Sequence, residues 1–247
     1  MKTMLITGAS RGIGAATALL AAERGFSVAV NYNKTKGDAE KVVESIMQKG
    51  GLAKAFQADV SNEEDVIRLF EEVYTEFGNL TSLVNNAGIL EEQCRLEHIT
   101  RQRLQRIFES NTLSTFLCCR EAIKRMSPKY EGNGGTIVNV SSIASRTGAP
   151  FEYIDYAASK GAVDSLTIGL AKELADENIR VNAVRPAFIH TDIHASGGEP
   201  NRIERIKETI PLKRGGLANE VAEAIFWLAS EQSSYSTGIF IDVTGGR

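Results

Sequence analysis

The chain has few of the residues that mark secreted, metal-bound or strongly charged proteins. Its 247 residues include three cysteines, five prolines and one tryptophan, and its net charge is −3 at pH 7. Cys118 and Cys119 are adjacent and Cys94 stands alone, so none has the spacing of a metal site. We therefore expect no metal centre, and reduced thiols of the kind that cytosolic proteins carry.

Two further absences bear on the partners of the protein. The sequence has no block of like charges, which argues against binding to nucleic acid or to an anionic membrane. No apolar run approaches the roughly 20 residues that a transmembrane helix needs. The first strand candidate begins at Met4, which leaves no room for a signal peptide. We expect a soluble, cytoplasmic protein with no nucleic-acid or membrane partner.

Short apolar runs alternate with longer segments of helical periodicity. Seven runs are strand candidates: Met4–Thr7, Val28–Asn31, Ala53–Ala58, Ser82–Asn85, Thr136–Ser141, Arg180–Val184 and Ile239–Val243. Six segments are helix candidates: Gly14–Arg24, Asp38–Gln48, Asn62–Phe77, Arg101–Met126, Tyr156–Asp176 and Glu220–Leu228. Most of the strands are uninterrupted apolar runs, as in parallel strands covered on both faces. This alternation predicts an α/β fold, a doubly wound parallel sheet of seven strands with helices on both faces, in a single domain over residues 1–247.

Residues 190–216 do not fit this alternation. The segment is rich in glycine, proline and charge, and it follows the sixth strand. Open α/β sheets bind ligands at the carboxyl edge of the strands, so the segment is a candidate lid over a site there. The alternative is a surface loop with no role.

A glycine-rich segment, TGASRGIG from Thr7 to Gly14, joins the first strand to the first helix. Glycine at positions such as Gly8 and Gly12 allows a tight turn and lets the backbone approach a pyrophosphate, which then lies on the helix N-terminus. The spacing G-x-x-x-G-x-G differs from the commonest dinucleotide fingerprint. Such a segment by itself is also compatible with a plain turn.

The choice between NAD and NADP depends on the residues after the second strand. Folds that bind NAD usually place an acidic residue there to hold the adenosine ribose. Here the strand ends in NYNK at residues 31–34, without an acid, and Asp38 is expected in the next helix. Arg11 and Lys34 can face a 2′-phosphate, although lone basic residues are often merely solvated. We expect NADP(H) to be preferred and NAD(H) to be possible.

Tyr156 and Lys160 stand four residues apart at the start of a predicted helix, so they share one helical face. A tyrosine with its ordinary pKa near 10 is a poor acid–base catalyst at neutral pH, but a nearby cation lowers that pKa. Ser141 and Ser142 follow the preceding strand at the carboxyl edge of the sheet, where a hydroxyl can bind a substrate oxygen. A Tyr-x-x-x-Lys pair is common by chance, and its place after this strand gives it weight.

In this order the motifs resemble those of the short-chain dehydrogenase/reductase family, in its single-domain branch, over essentially the whole chain. The resemblance implies a Rossmann-like fold and an NAD(P)-dependent oxidoreductase that interconverts a carbonyl and an alcohol by hydride transfer. It implies catalytic positions at Asn111, Ser142, Tyr156 and Lys160. The candidate cofactor-binding positions are Gly8, Ser10, Arg11, Gly12, Ile13, Gly14, Asn31, Tyr32, Asn33, Lys34, Asp59, Val60, Asn86, Ala87, Gly88, Tyr156, Lys160, Pro186, Ala187, Ile189 and Thr191.

The resemblance also implies a role for each catalytic residue. Tyr156 protonates the carbonyl oxygen during reduction, and Lys160 holds the nicotinamide ribose and lowers the tyrosine pKa. Asn111 takes part in a water-linked proton relay. Ser142 is assigned as the catalytic serine in preference to Ser141, because the family's serine is usually the second of such a pair. The chain departs from the family at Ala187, where glycine is common, and the loop before Tyr156 is one residue longer than in some relatives.

Two alternative functions share part of this pattern. A non-catalytic dinucleotide sensor would lack part of the catalytic set, which is complete here. A 3-oxoacyl-[acyl-carrier-protein] reductase has almost the same motifs, but it docks an acidic protein by means of basic residues. Two of those positions fall at Asn133 and Glu177, so we expect weak steering and a small free carbonyl or alcohol as substrate. Lys129 and Lys172 lie nearby and keep the alternative open.

Three further features complete the expectations. The segment HTDIH at residues 190–194 is a weak metal candidate, because no other ligand cluster accompanies it. Tyr153 is equally compatible with core packing and with a place in the pocket. The resemblance implies that the helices Arg101–Met126 and Tyr156–Asp176 pack against their copies in a homotetramer, and closed symmetric assembly is common among soluble proteins.

Overall fold

The computed structural model describes residues 2–247, and its centre is one parallel sheet. Seven strands form this sheet: β1 (Lys2–Ile6), β2 (Phe26–Tyr32), β3 (Leu52–Gln57), β4 (Leu80–Asn85), β5 (Gly135–Val140), β6 (Ile179–Pro186) and β7 (Phe240–Val243). Their spatial order is β3-β2-β1-β4-β5-β6-β7, so the order reverses between β1 and β4. All seven predicted strands are confirmed, with ends shifted by a few residues.

Helices cover both faces of the sheet. The longer ones are α1 (Gly12–Glu23), α2 (Lys36–Gln48), α3 (Glu63–Phe77), α4 (Arg101–Phe108), α5 (Ser114–Met126), α6 (Ile154–Glu173) and α7 (Ala218–Ala229). In β1, Met4 and Ile6 pack on one face with α1, α2 and α7, whereas Leu5 packs on the other with α3, α5 and α6. This alternation buries both faces, so the predicted doubly wound α/β fold is confirmed. No helix within residues 2–247 is long and apolar enough to cross a membrane.

The predicted single helix from Arg101 to Met126 is wrong at one place. A π-helical turn, Glu109–Leu113, separates α4 from α5. Its buried Asn111 makes two hydrogen bonds with the backbone of Ile89, and these hold the wider turn in place. One extra residue in a turn barely changes the apolar periodicity, which is why the pattern does not reveal it. Such turns often mark functional sites.

The segment at residues 190–216 is closed at its base. The two-residue strands Ile189–His190 and Gly216–Leu217 pair in parallel, so the chain leaves and returns at one point. Between them lie the short helices Ile193–Ser196 and Arg202–Ile206, and Ile203, Ile206 and Ile210 are buried. We call this segment the lid. One further short helix, Ala144–Thr147, follows β5.

Candidate active site

The glycine-rich segment turns tightly between β1 and α1. Gly8 and Gly12 have φ angles of +60° and +57°, a region that side chains with a Cβ rarely adopt. At Gly14 the reason is space, because a Cβ there would lie 2.6 Å from the carbonyl oxygen of Gly8. The segment therefore requires glycine for its shape, whatever it binds.

The N-terminus of α1 fits an anion. The N-cap residue, Arg11, gives no side-chain hydrogen bond to the helix, and the first turn holds no acidic residue. The first backbone N–H groups are therefore available to a phosphate, as in dinucleotide-binding folds. Thr191 borders the same place, because a Cβ on Gly12 would lie 3.3 Å from its Cγ2 atom. These features fit the pyrophosphate of a dinucleotide cofactor.

Two buried or half-buried amides hold the segment in shape. Asn31 accepts a hydrogen bond from the Gly8 N–H at 3.2 Å and donates to the carbonyl of Ala58. Asn86 donates to the carbonyls of Thr7 and Gly8 at 3.0 and 2.9 Å. The side chain of Asn31 is therefore occupied by the backbone. Among the candidate cofactor contacts, Asn31 is therefore a residue that supports the shape of the glycine-rich segment.

An outer cleft lies beside the start of α1. Its lining comprises Ser10, Arg11, Leu19, Asp38, Lys41, Val42, Ser45 and Asp192. Asp38 lies in α2, as expected, and pairs with Lys41 at 3.1 Å. Arg11 and Lys34 are exposed, and neither takes part in an ion pair within residues 2–247. The Thr35 hydroxyl donates to Ser10 at 2.8 Å and joins the loop after β2 to the glycine-rich segment.

The other residues proposed for the adenosine end are spread along the same edge of the sheet. Tyr32 and Val60 are buried, and Asn33 is exposed. Burial would raise the pKa of Asp59, but hydrogen bonds from Ser61 outweigh it and hold that pKa below its usual value. The carboxylate accepts from the N–H and hydroxyl of Ser61 at 3.0 and 2.6 Å. Asp59 is thus an ionised and fixed acceptor.

An inner cleft continues from the glycine-rich segment across the carboxyl ends of β4, β5 and β6. Its lining comprises Ile13, Asn86, Gly88, Val140, Ser141, Ser142, Tyr156, Lys160, Pro186, Ala187, Ile189, Thr191, Ile193 and His194. The cleft encloses about 520 Å³ of empty space, part of which is open to solvent. The structure thus brings three of the four candidate catalytic residues together with candidate contacts from the glycine-rich segment and the lid. Ala87 lies just outside and donates its N–H to the Thr7 hydroxyl.

Tyr156 and Ser142 lie side by side in the inner cleft. Burial raises the pKa of the Tyr156 phenol above its usual value, and the neighbouring Ser142 hydroxyl partly opposes that shift. Ser142 also accepts a hydrogen bond from the Ala144 N–H at 3.1 Å, whereas Ser141 donates to the carbonyl of Lys160 at 3.3 Å. Of the two serines, Ser142 is therefore the one whose hydroxyl adjoins the phenol.

Lys160 is buried one helical turn after Tyr156. Its ammonium donates to the carbonyl of Val140 at 2.8 Å and lies 5.8 Å from the centre of the Tyr156 ring. Burial lowers the pKa of Lys160 from 10.5 to about 8, although the nearby Asp164 carboxylate opposes the shift. The expected lowering of the Tyr156 pKa by this cation is not what the structure gives, because burial of the phenol dominates.

Asn111 joins α6, which carries Tyr156 and Lys160, to the loop after β4. Its amide donates to the carbonyl of Ile89 at 3.1 Å and to the Ser159 hydroxyl at 3.2 Å, and it accepts from the Ile89 N–H at 2.7 Å. Ser159 in turn donates to the carbonyl of Tyr156 at 2.7 Å. A Cβ on Gly88 would lie 3.2 Å from the Asn111 side-chain oxygen and 3.5 Å from the Lys160 nitrogen. Asn111 therefore lies beside the lysine, with its side chain bonded to protein groups.

A buried ion pair lies at the residue before Tyr156, and no pattern in the sequence indicates it. Arg103 donates twice to Asp155, at 2.6 and 3.2 Å, and both side chains are almost fully buried. Arg103 also donates to the carbonyl of Glu92 at 2.6 Å, and Asp155 accepts from the Tyr156 N–H at 2.9 Å. The two residues are 52 positions apart, and no local pattern links them.

The lid borders the inner cleft. Thr191 and His194 line the cleft, and Ala187 donates its N–H to the carbonyl of Val243, which ties the chain beyond β6 to β7. Tyr153 is buried and accepts from Arg202 of the lid at 3.1 Å, so its role is packing rather than lining the cleft. Within residues 2–247, no three potential metal-ligating side chains come together.

The comparisons with known proteins agree with this geometry. A family model described as enoyl-(acyl carrier protein) reductase matches residues 8–247. An uncharacterized oxidoreductase of Escherichia coli K12, YgfF, is 55% identical over 247 residues and is covered completely, as is this chain. The chain belongs to the short-chain dehydrogenase/reductase family. It is therefore an oxidoreductase, and its family implies a nicotinamide dinucleotide cofactor.

Two further relatives match this chain over almost its whole length. The 3-oxoacyl-[acyl-carrier-protein] reductase FabG of Staphylococcus aureus is 39% identical over 245 residues, which are 99% of this chain and 97% of the relative. The crystal structure of a dehydrogenase/reductase from Sinorhizobium meliloti has a TM-score of 0.92 at 33% identity, covering 99% of this chain and 94% of its own. The fold and the reaction class are thus common to these relatives.

The depressed pKa of Lys160 has a consequence for stability. Because the folded pKa lies below the unfolded one, the unfolded chain holds the proton more tightly, and folding carries a cost below about pH 8. That cost is about 3 kcal/mol, and the bond to Val140 offsets about 1 kcal/mol of it. We expect Lys160→Met to raise the free energy of unfolding by about 2 kcal/mol at pH 7.

Urea unfolding of both proteins without added cofactor between pH 7 and 10.5 measures this difference. The stability of the wild type should rise relative to the variant from about pH 8 upward, as the folded lysine loses its proton. Lys172→Met, at an exposed position of the same helix, is the control and should change little. A variant less stable than the wild type at pH 7 would contradict the expectation.

Proposed function

We propose that the protein is an NADP(H)-dependent oxidoreductase that interconverts a small carbonyl compound and its alcohol, with Tyr156 as general acid and base. The observation that carries this proposal is the inner cleft. There the phenol of Tyr156, the Ser142 hydroxyl and the Lys160 ammonium line the same cleft as Ile13 of the glycine-rich segment. A cofactor bound along that segment would supply or accept the hydride, and the protein would supply position and protons.

In the proposed reaction, Tyr156 donates its phenolic proton to the substrate oxygen during reduction and takes it back during oxidation. Ser142 donates a hydrogen bond to the same oxygen and holds it beside the phenol. Burial raises the pKa of Tyr156, so without a bound cofactor the phenol is protonated and carries the proton that reduction requires.

Lys160 and Asn111 are proposed to assist the proton transfer by the Tyr156 phenol. The lysine ammonium would bind the nicotinamide ribose and stabilise the phenolate that forms when Tyr156 loses its proton. The amide of Asn111 is bonded to Ile89 and Ser159, so a water-linked relay would use its backbone carbonyl rather than its side chain. The complete catalytic set argues against a non-catalytic sensor.

The direct test of this function is a screen of the purified protein against ketones, aldehydes and alcohols, in which absorbance at the nicotinamide band is followed. We expect turnover of at least one small carbonyl compound with NADPH. Protein that binds NADPH but turns over no compound of the panel would contradict the proposal and favour the sensor.

The preference for NADP(H) is proposed from the outer cleft. Arg11 is exposed there without an ion-pair partner, and no acidic residue follows β2 directly. We expect NADPH to bind more tightly than NADH, and Arg11→Ala to reduce that preference about tenfold by loss of a charge-assisted contact with the 2′-phosphate. Fluorescence titration of both cofactors gives the dissociation constants.

Asp38→Asn provides the matched control for this prediction. The change removes a negative charge from the same cleft and leaves Arg11 in place. The preference for NADPH should then be at least as large as in the wild type. Equal affinities for NADPH and NADH in the wild-type protein would contradict the proposed preference.

A small free substrate is proposed rather than an acyl chain on a carrier protein. Of the two lysines near Glu177, Lys129 is bonded to that carboxylate, which offsets its charge, and the exposed Lys172 is the one that keeps the carrier-protein alternative open. Asn133 adds no charge, so the surface offers an acidic protein little attraction. The relative FabG is named for carrier-bound substrates, and this ion pair favours a different substrate here.

The protein is proposed to assemble as a homotetramer through α4, α5 and α6. Four apolar side chains are exposed along α4, the π turn and α5: Leu104, Phe108, Leu113 and Phe116. Ile168 is exposed on α6 in addition. An exposed apolar surface of this kind commonly marks an interface between copies of a chain. A monomeric mass by light scattering at micromolar concentration would contradict the proposal.

The proposed compartment is the cytoplasm. Cys94, Cys118 and Cys119 are all free thiols. Burial raises the pKa of Cys119 to about 12 and that of Cys118 well above its usual value, so both thiols are unreactive. Recovery of the protein in the soluble cytoplasmic fraction of its cell tests this, and recovery from an oxidising compartment would contradict it.

A further inference from the structure

His194 is a buried polar side chain of the inner cleft that has no partner. It lies in the short lid helix Ile193–Ser196, is only 8% exposed and lines the same cleft as Tyr156 and Ser142. Neither ring nitrogen makes a hydrogen bond of normal geometry. A buried polar group without a partner costs about 1–3 kcal/mol, and a ligand group that bonded the ring would recover that cost.

The neighbours of His194 cannot serve as its partners. The Arg202 guanidinium of the lid is close, but one of its nitrogens donates to Tyr153 and Glu199 at 3.1 and 3.0 Å and another donates to Glu152. The backbone of Ile189 lies near enough to affect the ring, but not in hydrogen-bond geometry. The two nitrogens of His194 are therefore unpartnered, and because each is almost fully buried, a molecule in the cleft would bond them only after a small shift of the ring or the lid.

The chemistry of the ring selects the kind of group that it would bind. Burial, with the charge of Arg202, lowers the pKa of His194, so the ring is neutral at pH 7 and has one donor and one acceptor. A hydroxyl group matches that pair, since it donates and accepts as well. A carboxylate matches less well, because it only accepts, and Lys160 is the only charged residue in the lining.

We propose that His194 hydrogen-bonds a second hydroxyl group of the substrate, beyond the oxygen that Tyr156 serves. The substrate class is then a hydroxylated carbonyl compound, reduced to a diol or a longer polyol. This inference rests on the proposed function, because it assigns the reacting oxygen to Tyr156 and Ser142. His194 contacts the substrate and determines specificity without taking part in the proton transfer.

The test compares ketones with and without the additional hydroxyl. The pairs are hydroxyacetone with acetone, and 1-hydroxy-2-butanone and 4-hydroxy-2-butanone with 2-butanone, each measured as kcat/KM with NADPH. In the wild type, at least one hydroxylated ketone should exceed its parent about tenfold to a hundredfold. His194→Leu should bring that ratio close to one.

Two further variants make the result specific to the cleft. His194→Gln keeps a donor and an acceptor and should retain part of the preference. His190→Leu makes the same exchange at an exposed histidine of the lid outside the cleft lining and should leave the ratio unchanged. A wild-type ratio near one for all three pairs, or an unchanged ratio in His194→Leu, would overturn the assignment.

A binding measurement separates this inference from the proposed function. In protein labelled with ¹⁵N at histidine, hydroxyacetone in the presence of NADP⁺ should shift the ring nitrogen signals of His194, whereas acetone should not. If the wild type reduces none of the ketones, the proposed function fails, and such a selective shift would still support the hydroxyl-binding site. The absence of any shift at His194 with all three hydroxylated ketones would overturn the site itself.

Discussion

Replacement of Tyr156 by phenylalanine is expected to lower turnover by about a hundredfold or more and to leave cofactor binding nearly unchanged. The change removes only the phenolic hydroxyl, which is the proposed source of the proton for the substrate oxygen, and positioned acid–base groups contribute about 10²–10⁴ in rate. The ring itself still fills the space beside Lys160. Steady-state kinetics with the best substrate of the panel, together with titration of NADPH, measure the two effects separately.

Tyr153→Phe is the matched control for this experiment. Tyr153 stands three residues earlier, is buried and bonds with Arg202 of the lid, but it does not line the inner cleft. Its loss should therefore cost turnover no more than a few fold. Normal turnover by Tyr156→Phe would remove the tyrosine from the proposed role.

The second large effect is expected on stability. Arg103→Met leaves the carboxylate of Asp155 buried without its cation, and loss of one partner of a buried ion pair costs about 3–5 kcal/mol. The same carboxylate accepts the Tyr156 N–H, so the start of α6 should also be disturbed and turnover should fall. Urea unfolding followed by circular dichroism measures the change in the free energy of unfolding.

Two comparisons show whether the unpaired charge is the cause. Arg103→Met combined with Asp155→Asn removes both charges and keeps an acceptor for the Tyr156 N–H, so most of the lost stability should return. Arg106 lies on the same helix as Arg103, and Arg106→Met breaks its more exposed ion pair with Glu91. This change should lower the free energy of unfolding by less than about 1 kcal/mol. Equal losses of stability in Arg103→Met and Arg106→Met would show that the buried ion pair contributes no more to stability than the exposed one.

The parts of the fold that the sequence predicts well are those set by local pattern. The apolar runs, most of them uninterrupted, identify all seven strands, and the glycine spacing from Gly8 to Gly14 identifies the turn into α1. Asp38 lies in α2, as expected from the place of the strand end. The π turn around Asn111 is not predicted, because a one-residue shift hardly alters helical periodicity and the turn is held by a long-range contact with Ile89.

The candidate site is less predictable wherever the result depends on burial or on distant partners. The pair Arg103 and Asp155 joins two helices with no shared motif, so only the folded chain reveals it. The pKa of Tyr156 depends on how deeply the phenol is buried, and the spacing to Lys160 alone gives the opposite direction. His194 draws attention in the sequence only as a metal ligand, and its place in the cleft becomes visible only once the lid is folded.

The most direct test of the proposed substrate class is a comparison of kcat/KM for an acyl chain on carrier protein with that for the same chain on a short thioester and for a small hydroxylated ketone. The charge of Lys129 is neutralised by Glu177, so the carrier should give no advantage, and the small ketone should be the best of the three substrates. The measurement is repeated at low and high salt, because attraction to an acidic carrier weakens as salt screens it. A large, salt-sensitive advantage of the carrier-bound chain would contradict the proposal and identify the protein as a 3-oxoacyl-[acyl-carrier-protein] reductase.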